Sequence, residues 1–373
     1  MKIGICVIAY NRIDSLKRVL KSLENAYYNN DVELIVSIDK SNTTVVENYA
    51  RNYKWEHGKY RYIVHDSNLG LRRHVLKCGD LLNEFDALIV LEDDIYVVPN
   101  FYNYSLQCIN KYKDNKDIAG ISLYNFPINY HNKQPFRPIS TDSDVFLMQN
   151  AQSWGQIWLK KQWEDFRNWY NLHNEEFTEQ SHLPCSICSW PKSSWLKYHT
   201  KYCIENKKYF VYPYISLSTC FSDIGEHTGS SSTSIQTPIL FGEKRTYNLT
   251  PFIKYDAFFE NENLYDILNI PPKDICIDFY GEKKNRENKR FWLTRELLPY
   301  KVKISYALML KPYEMNIIHN IKGNEIFVYD TNFSAPKPTG KLNNKLWEFY
   351  MYGKCTDLKT SLKNYIKKIL HIN

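Results

Sequence analysis

Apolar residues along the first hundred positions of the chain alternate between two patterns. Short continuous apolar runs, typical of buried strands, are separated by stretches in which apolar residues recur every three or four positions, as on one face of a helix. The predicted strands span residues 3–9, 32–38, 60–64 and 87–91, and the predicted helices span residues 13–23, 45–53 and 71–82. This alternation favours an α/β fold with a mostly parallel sheet that is covered by helices on both faces.

The rest of the chain carries weaker patterns. Residues 118–123 and 145–148 are predicted as short strands, residues 157–169 as a helix, and residues 230–234 as a polar loop. Near the C-terminus, Leu358, Leu362, Tyr365, Ile366 and Ile369 share one face of a predicted helix over residues 358–370, and four lysines surround that face. Such a basic amphipathic helix suits an anionic membrane surface, or else packs on the body of the protein as a solvated helix.

Charge is distributed unevenly along the 373 residues. The total is +7, but residues 1–280 carry about −3 and residues 281–373 carry +10. A slightly acidic body does not offer the basic, aromatic-rich face that nucleic-acid binding requires. We therefore expect no nucleic-acid partner, and a basic C-terminal extension that could contact an anionic membrane.

Cysteines and apolar segments restrict the class of protein further. Nine cysteines, of which only Cys185 and Cys188 have CxxC spacing, predict reduced thiols rather than a zinc or disulfide framework. No apolar run reaches the roughly 18 residues of a membrane-spanning helix, and Met1 leads directly into the first predicted strand, so no signal peptide is expected. These features predict a cytoplasmic protein, peripheral at the inner face of the membrane.

Three consecutive carboxylates follow the fourth predicted strand. Glu92, Asp93 and Asp94 come directly after Leu88-Ile89-Val90-Leu91, at the sheet edge where such folds bind ligands. Like charges this close repel unless a cation compensates them, and oxygen ligands of this kind suit Mn²⁺ or Mg²⁺ with substrate phosphates completing the shell. The alternative is a solvated acidic turn.

Two further strands end in polar residues at the same edge. Arg12 follows the first strand, and Asp39 ends the second as a possible acceptor for a base or ribose. Each alone is consistent with a turn or capping residue. Together with the carboxylates they predict a site for a nucleotide diphosphate.

The motifs CVIAYNR, VSID, NLGLRRHVLKCG and IVLEDDIYVVPNFY resemble the nucleotide-sugar domain of GT-A glycosyltransferases. The resemblance is closest to the N-acetylglucosaminyltransferase I family and to bacterial family-2-like enzymes, and it covers roughly residues 1–230. It implies a Rossmann-like, mostly parallel sheet, with the nucleotide-sugar half over residues 1–125 and the acceptor half over residues 126–240. Residues 241–373 would form a basic, partly helical extension.

The resemblance also implies roles for individual residues. Asp94 would ligate Mn²⁺ or Mg²⁺, and His227 in the segment YPYISLSTCFSDIGEHT would complete the metal or diphosphate site, although a lone histidine is often structural. The nucleotide sugar would be bound by Ala9, Arg12, Asp39, Arg72, Arg73, His74, Glu92, Asp93 and Gly155. A solvated helix face remains the alternative for the trio Arg72-Arg73-His74.

The segment NAQSWGQIW resembles the acceptor loop of the family. Gly155 would allow the backbone to approach the donor sugar closely. Trp154 and Trp158 would stack on the sugar of the acceptor, or else are core aromatics.

The catalytic base departs from the family pattern. Relatives carry an aspartate just after a tryptophan, whereas this chain has Pro191 after Trp190. The remaining candidates for the base are five acidic residues, all equally suited to a helix face or a loop. They are Asp165, Glu175, Glu176, Asp223 and Glu226.

These features predict a metal-dependent hexosyl- or N-acetylhexosaminyltransferase. It would move a sugar from a nucleotide diphosphate donor, in the first place a UDP-sugar, to a hydroxyl of a glycan or lipid-linked saccharide, in surface polysaccharide or glycoconjugate synthesis. The resemblance implies that the transfer inverts the anomeric configuration. A sugar-1-phosphate nucleotidyltransferase is disfavoured because residues 10–12 contain no phosphate-binding glycine. A degenerate GT-A domain that only binds carbohydrate or acts as a scaffold remains an alternative because of Pro191.

Overall fold

The computed structural model of the protein describes residues 1–132, 134–221, 223, 235–284, 286 and 288–339, together with residues 362, 363, 366 and 370. It divides into two compact units. The first comprises residues 1–125, 140–178 and 187–252, and the second comprises residues 126–139, 179–186 and 253–373. Most of the predicted helix at residues 358–370 lies outside the described residues, as do His227 and Glu226.

The strands and helices follow one another in the alternating order that the sequence predicts for the first hundred residues. The strands are β1 (Ile3–Ala9), β2 (Glu33–Ile38), β3 (Tyr60–Val64), β4 (Ala87–Glu92), β5 (Ile95–Val97), β6 (Ile118–Ser122), β7 (Val145–Met148), β8 (Gln156–Leu159), β9 (Tyr209–Pro213), β10 (Ser218–Cys220), β11 (Lys254–Tyr255), β12 (Ile275–Asp278), β13 (Phe291–Thr294), β14 (Tyr300–Tyr306) and β15 (Ile326–Ser334). The α-helices are α1 (Ile13–Glu24), α2 (Val45–Asn52), α3 (Leu71–Gly79), α4 (Phe101–Tyr112), α5 (Lys160–Leu172), α6 (Cys185–Cys188), α7 (Trp195–Glu205), α8 (Leu264–Leu268) and α9 (Met315–Ile318), and a 3-10 helix spans Asp80–Asn83.

Eight strands of the first unit form one twisted sheet, in the order β7-β9-β6-β8-β4-β1-β2-β3. β3, β2, β1 and β4 pair in parallel, and β6 and β9 run in the same direction. Only β7 and β8 are reversed. The predicted α/β class with a mostly parallel sheet is therefore confirmed, and the carboxyl ends of β1, β2, β3 and β4 meet at one edge.

The first helices form because their apolar residues fall on one face. In α1, Leu16, Val19, Leu20 and Leu23 are fully buried against the sheet. The polar positions between them face outward, which is the pattern of a helix that covers one side of a sheet. Burial of this stripe, rather than helix propensity alone, fixes α1 beside β1 and so places Arg12 at its first turn.

The prediction of a helix over residues 157–169 is wrong at its beginning. Residues 156–159 form β8, which pairs antiparallel with both β4 and β6, and the helix begins only at Lys160. Ile157, Trp158 and Leu159 are buried in the middle of the sheet. Both faces of a central strand are apolar, so this short run did not show the alternation by which a strand is distinguished from a buried helix.

The second unit has its own sheet, in the order β12-β13-β15-β14, with a core that includes Ile275, Leu293 and Val328. The sequence patterns did not predict these strands. Buried ionisable groups also occur here: Lys283 pairs with Asp256 at 2.7 Å, and burial raises the pKa of Asp278 to about 6.

In the described parts of the chain, no helix is both long enough and apolar enough to cross a bilayer.

Lys197 lies at the centre of a backbone network in the first unit. Its ammonium group donates hydrogen bonds to the carbonyl oxygens of Phe177, Cys188 and Trp190, at 2.8, 2.9 and 3.0 Å. Only 2% of Lys197 is exposed. A buried charge is tolerated when hydrogen bonds replace its hydration, so α7 holds these three backbone positions through one side chain.

We predict that Lys197→Met lowers the free energy of unfolding by about 3 kcal/mol, because it leaves buried carbonyl groups without donors. The matched control is Lys201→Met, one turn along α7. Lys201 also lies over the Phe177 ring and, among the described residues, forms an ion pair with Glu205 at 3.6 Å. Its replacement removes this one ion pair and not three hydrogen bonds to backbone carbonyls, so it should cost clearly less than Lys197→Met. Urea unfolding of both variants measures the difference, and equal losses would contradict the role given to Lys197.

Candidate active site

The carboxylate cluster, defined as Glu92, Asp93 and Asp94, lies at the carboxyl end of β4. Arg12, which follows β1, reaches across the edge of the sheet to it. The guanidinium of Arg12 donates to Asp94 Oδ2 at 3.1 Å and forms a second ion pair with Asp93 Oδ1. The parallel pairing of β1 and β4 sets Ile8 beside Glu92, which brings the two loops together. The sequence prediction that these strand ends share one site is therefore supported by their geometry.

The cluster is only partly neutralised by Arg12. Burial, followed by the nearby charges of Asp94 and Asp93, raises the pKa of Glu92 to about 8. Burial also raises the pKa of Asp93 to about 6, against the opposing effect of Arg12. The indole of Trp195, at the start of α7, donates a hydrogen bond to Glu92. Carboxylates this concentrated favour binding of a further cation.

The fit of the cluster to a divalent metal can be judged from its oxygen atoms. Asp93 is 3% exposed, and its Oδ2 is buried without a hydrogen-bond partner in the described structure. Among the residues that can be described, no three His, Cys, Asp or Glu side chains are arranged to hold a metal by themselves. The cluster thus suits a metal that takes one or two protein oxygens and obtains its other ligands from substrate, as Mg²⁺ and Mn²⁺ do with phosphates.

The segment after β10 runs alongside the cluster. β10 pairs antiparallel with β5, and the backbone N–H of Phe221 donates to the carbonyl oxygen of Asp94 at 2.9 Å. Two residues later, Asp223 accepts a hydrogen bond from Ser15 Oγ at 2.8 Å and forms an ion pair with Arg18, both on α1. Asp223 thus follows, by two residues, a backbone position that is hydrogen-bonded to Asp94. The sequence analysis did not predict a role for Ser15 and Arg18, because in sequence they are ordinary polar positions of an amphipathic helix.

Asp39 is placed differently from the prediction. It lies at the expected edge, but only 4% of it is exposed, and its oxygens accept hydrogen bonds from the backbone N–H groups of Leu69 and Gly70 at 2.8 and 2.9 Å. Its own N–H donates to the carbonyl of Ala9 at 3.0 Å, and Ala9 is 2% exposed. In this structure Asp39 holds the loop that leads into α3, and the Ala9 side chain belongs to the core.

The basic trio at the start of α3 does not form one cationic surface. Arg72 donates to Tyr198 Oη at 2.7 Å and to the carbonyl oxygens of Lys192 and Asn174, both at 3.1 Å. His74 is buried, at 2% exposure, with its ring hydrogen-bonded to Ser37. The predicted contact of His74 with a diphosphate is therefore wrong, because the helix turns it into the core. Only Arg73 is exposed.

The loop before β8 contains the predicted glycine. Gly155 has a φ of +95°, and a Cβ there would lie 2.8 Å from Ser218 Oγ. A glycine is therefore required for a tight turn against β10. Trp154 is half-buried, edge-on to Tyr124 at 4.8 Å, and remains a candidate for acceptor binding. Trp158 is fully buried and stacks on Trp163 at 4.2 Å, so its predicted contact with a sugar is wrong.

The other base candidates among the described residues lie on α5 or shortly after it. Leu159, the last residue of β8, pairs with Ala87 at the edge of the sheet opposite the carboxylate cluster. Since α5 begins at that edge, Asp165 in the second turn of α5 is not brought to the site. Asp165 instead pairs with Lys161 at 2.6 Å. At the far end of α5, Glu175 and Glu176 follow Asn174, which is bound by Arg72. Both glutamates are exposed, and Glu176 lies 3.7 Å from Lys192.

Comparison with known proteins gives one family match, and its description is "Glycosyl transferase family 2", over residues 4–163. A comparison with curated protein sequences gives no match.

Several solved structures match this chain at low similarity. The TarS fragment 1–349 from S. aureus, in complex with UDP-GlcNAc, has 14% identity and a TM-score of 0.37, covering 61% of this chain and 60% of that one. Mannosyltransferase PcManGT from Pyrobaculum calidifontis, with GDP-Man and Mn²⁺, has 10% identity and a TM-score of 0.35, covering 57% of each chain. GalNAc-T7, with UDP, GalNAc and Mn²⁺, has 11% identity and a TM-score of 0.38, covering 57% of this chain and 42% of that one. The matched part thus spans less than two thirds of each of these structures.

The matched residues extend from β1 through β4 to β8 and include both Arg12 and the carboxylate cluster. The part of the chain that carries the candidate site is therefore similar to glycosyl transferase family 2.

Proposed function

We propose that the protein is a metal-dependent, inverting glycosyltransferase. It moves a hexosyl or N-acetylhexosaminyl group from a nucleotide diphosphate sugar, first of all a UDP-sugar, to a hydroxyl of a glycan or lipid-linked saccharide, in the synthesis of a surface polysaccharide or glycoconjugate. The observation that carries this proposal is the carboxylate cluster at the end of β4, paired with Arg12 within a region similar to glycosyl transferase family 2.

Asp94 is the residue proposed to hold the metal, since it is the more exposed of the two aspartates. Its side chain is 21% exposed, against 5% for Asp93. A bound Mn²⁺ or Mg²⁺ would neutralise the negative charge of the departing diphosphate. Arg12 already lies within hydrogen-bonding distance of both aspartates and can supply a second positive charge to the same phosphates.

Asp223 is the residue proposed as catalytic base. Inverting transfer requires a carboxylate that takes the proton of the acceptor hydroxyl as its oxygen attacks the anomeric carbon. The Phe221–Asp94 backbone hydrogen bond keeps the segment that carries Asp223 beside the proposed metal ligand. The contacts with Ser15 and Arg18 orient the carboxylate on α1.

We predict that Asp94→Asn lowers the rate of sugar transfer by about 100-fold or more, because the metal loses its protein ligand. The control is Asp165→Asn, which removes a carboxylate of equal charge from an exposed pair on α5 and should change the rate by less than about twofold. Release of nucleoside diphosphate from a panel of nucleotide sugars, with Mn²⁺ and after chelation with EDTA, measures both rates.

Thermal stabilisation provides a second measurement for the same variants. A UDP-sugar that binds the folded protein together with Mn²⁺ should raise its Tm, and EDTA or Asp94→Asn should abolish the rise. Full transfer by Asp94→Asn in the presence of metal would overturn the assignment. Stabilisation of the wild-type protein without release of nucleoside diphosphate would instead favour the carbohydrate-binding alternative.

We predict that Asp223→Asn lowers transfer by about 100-fold while the Tm shift with donor and Mn²⁺ is kept, because a base acts on the acceptor and not on donor binding. Glu176→Gln is the charge-matched control and should retain transfer. The reverse result, with transfer lost in Glu176→Gln and kept in Asp223→Asn, would move the base to the segment after α5.

We also propose that the C-terminal segment binds an anionic membrane surface. Leu362, Ile366 and Leu370 are spaced four residues apart, as on one helix face, and their exposed fractions are 46%, 46% and 59%. The surrounding sequence is rich in lysine. Exposed apolar residues beside basic ones are the combination that binds anionic bilayers.

We predict that the double variant Leu362→Ser/Ile366→Ser loses co-sedimentation with vesicles that contain phosphatidylglycerol, as should deletion of residues 354–373. Phe241→Ser, which removes a fully exposed aromatic side chain elsewhere, is the control and should leave vesicle binding unchanged. Binding by the deletion variant equal to that of the full chain at low salt would show that the tail is not the membrane contact.

A further inference from the structure

Residues 307–321 of the second unit form a compact surface loop between β14 and β15. The two ends of the loop lie close together. The N–H of Ala307 donates to the carbonyl oxygen of Ile321 at 2.9 Å, and Tyr306 and Lys322 form an antiparallel bridge just outside it. Surface loops that are closed at the base in this way and packed by their own side chains frequently carry function. The function proposed above does not use this loop.

Asn316, in α9, holds the loop from the inside. It is fully buried, and its side-chain amide forms four hydrogen bonds with the backbone. Its Oδ1 accepts from the N–H groups of Met309 and Leu310, both at 2.9 Å. Its Nδ2 donates to the carbonyl oxygens of Leu310 and Tyr313 at 2.9 and 3.0 Å. The backbone of the turn at residues 309 and 310 is therefore fixed by a single internal side chain.

The same turn exposes apolar side chains. Met309 is 79% exposed and Leu310 is 36% exposed, and these two residues are called the apolar tip below. Ile318, at the end of α9 in the same loop, is 37% exposed. A single apolar residue on a surface is ordinary. Here Asn316 holds the backbone of two consecutive ones, so the fold itself presents them to the outside.

The exposed charges of the loop and its base are positive. Lys311 follows the apolar tip directly and Lys322 lies at the base of the loop, and both are exposed. All of residues 307–324 are described, and Glu314 is the only acidic residue among them. Glu314 is 6% exposed. An anionic surface that approaches the apolar tip therefore meets lysines and no exposed carboxylate of this loop.

The hydrogen bonding of the apolar tip fits a lipid environment. Lipid offers no partners to backbone N–H and C=O groups, so a segment that enters it must satisfy these groups within the protein. Asn316 does so for both N–H groups of the tip and for the carbonyl oxygen of Leu310. A turn that stays in water does not need such a residue, because water binds its backbone. Apolar side chains flanked by lysines are the combination that enters the headgroup region of anionic bilayers.

We propose that residues 307–321 form a membrane contact of the second unit. Met309 and Leu310 enter the boundary between the headgroups and acyl chains of an anionic bilayer, and Lys311 and Lys322 contact the lipid phosphates. This contact does not depend on the sugar transfer proposed above. It acts beside the C-terminal segment, because stable attachment to a bilayer takes two weak contacts rather than one.

Co-sedimentation of the full-length protein with vesicles tests this proposal. In Met309→Ser/Leu310→Ser, binding to vesicles that contain phosphatidylglycerol should fall by about tenfold or more, because two inserted apolar side chains are lost. The matched control is Leu172→Ser/Ile215→Ser, which removes two apolar side chains of the first unit that are 81% and 56% exposed and should bind like the wild-type protein. Unchanged binding by the tip variant would overturn the proposal, and loss of binding only on deletion of residues 354–373 would leave the C-terminal segment as the contact.

A fluorophore at position 309 measures insertion directly. Met309→Cys, made together with Cys185→Ser to remove an exposed thiol, accepts a thiol-reactive fluorophore. Lipids that carry a nitroxide on the acyl chain should quench this fluorophore, whereas the same label on Leu172→Cys should keep its intensity. Equal quenching at the two positions would overturn the proposal even if the serine variant fails to fold.

Self-association is the competing use of an apolar tip. Light scattering of the wild-type protein and of Met309→Ser/Leu310→Ser, without vesicles, should give the same mass for both. A dimer that becomes a monomer in the variant, with vesicle binding unchanged, would show that the tip contacts a second copy of the chain and would overturn the membrane contact.

Discussion

The site depends on how the protein tolerates three adjacent carboxylates at the end of a buried strand. Without compensation, Glu92, Asp93 and Asp94 would destabilise the edge of the sheet at which β4 ends. Arg12 supplies one compensating charge, and it can do so only because β1 and β4 pair in parallel and end at the same edge. Burial, with the neighbouring carboxylates adding to it, keeps the pKa values of Glu92 and Asp93 raised even with Arg12 in place. The fold therefore leaves an electrostatic demand that a metal bound to a diphosphate would meet.

The reversed strand β8 explains how distant parts of the chain reach the same edge. Its first residue, Gln156, lies beside Val90, so the turn at Trp154 and Gly155 comes just before the edge at which β4 ends. Gly155 in turn packs against Ser218 of β10, and β10 leads to Phe221 beside Asp94. The antiparallel strand β8, between the parallel strands β4 and β6, thus brings loops from the middle of the chain next to the carboxylates.

The strands and helices of the first hundred residues, and the shared sheet edge of Arg12 and the carboxylates, could be predicted from the sequence. Buried parallel strands appear as continuous apolar runs, and polar residues at their carboxyl ends must meet at one edge. The direction in which a side chain points could not be predicted in the same way. His74 and Trp158 face the core because of the packing of α3 and the register of β8, and Asp39 is occupied by backbone N–H groups, which leave no mark in a side-chain pattern. The sheet of the second unit was also missed, although β14 alternates apolar and polar residues and carries a signal that could have identified it.

Lys197 and Arg72 both donate hydrogen bonds to backbone carbonyl oxygens of the segment between α5 and α7. Lys197 binds the carbonyl oxygens of residues 177, 188 and 190, and Arg72 binds those of residues 174 and 192. Every residue type provides a backbone carbonyl, so the side chains at these five positions can be exchanged without removing a single one of these bonds. The side chains of this region can therefore change on a backbone that stays anchored in place.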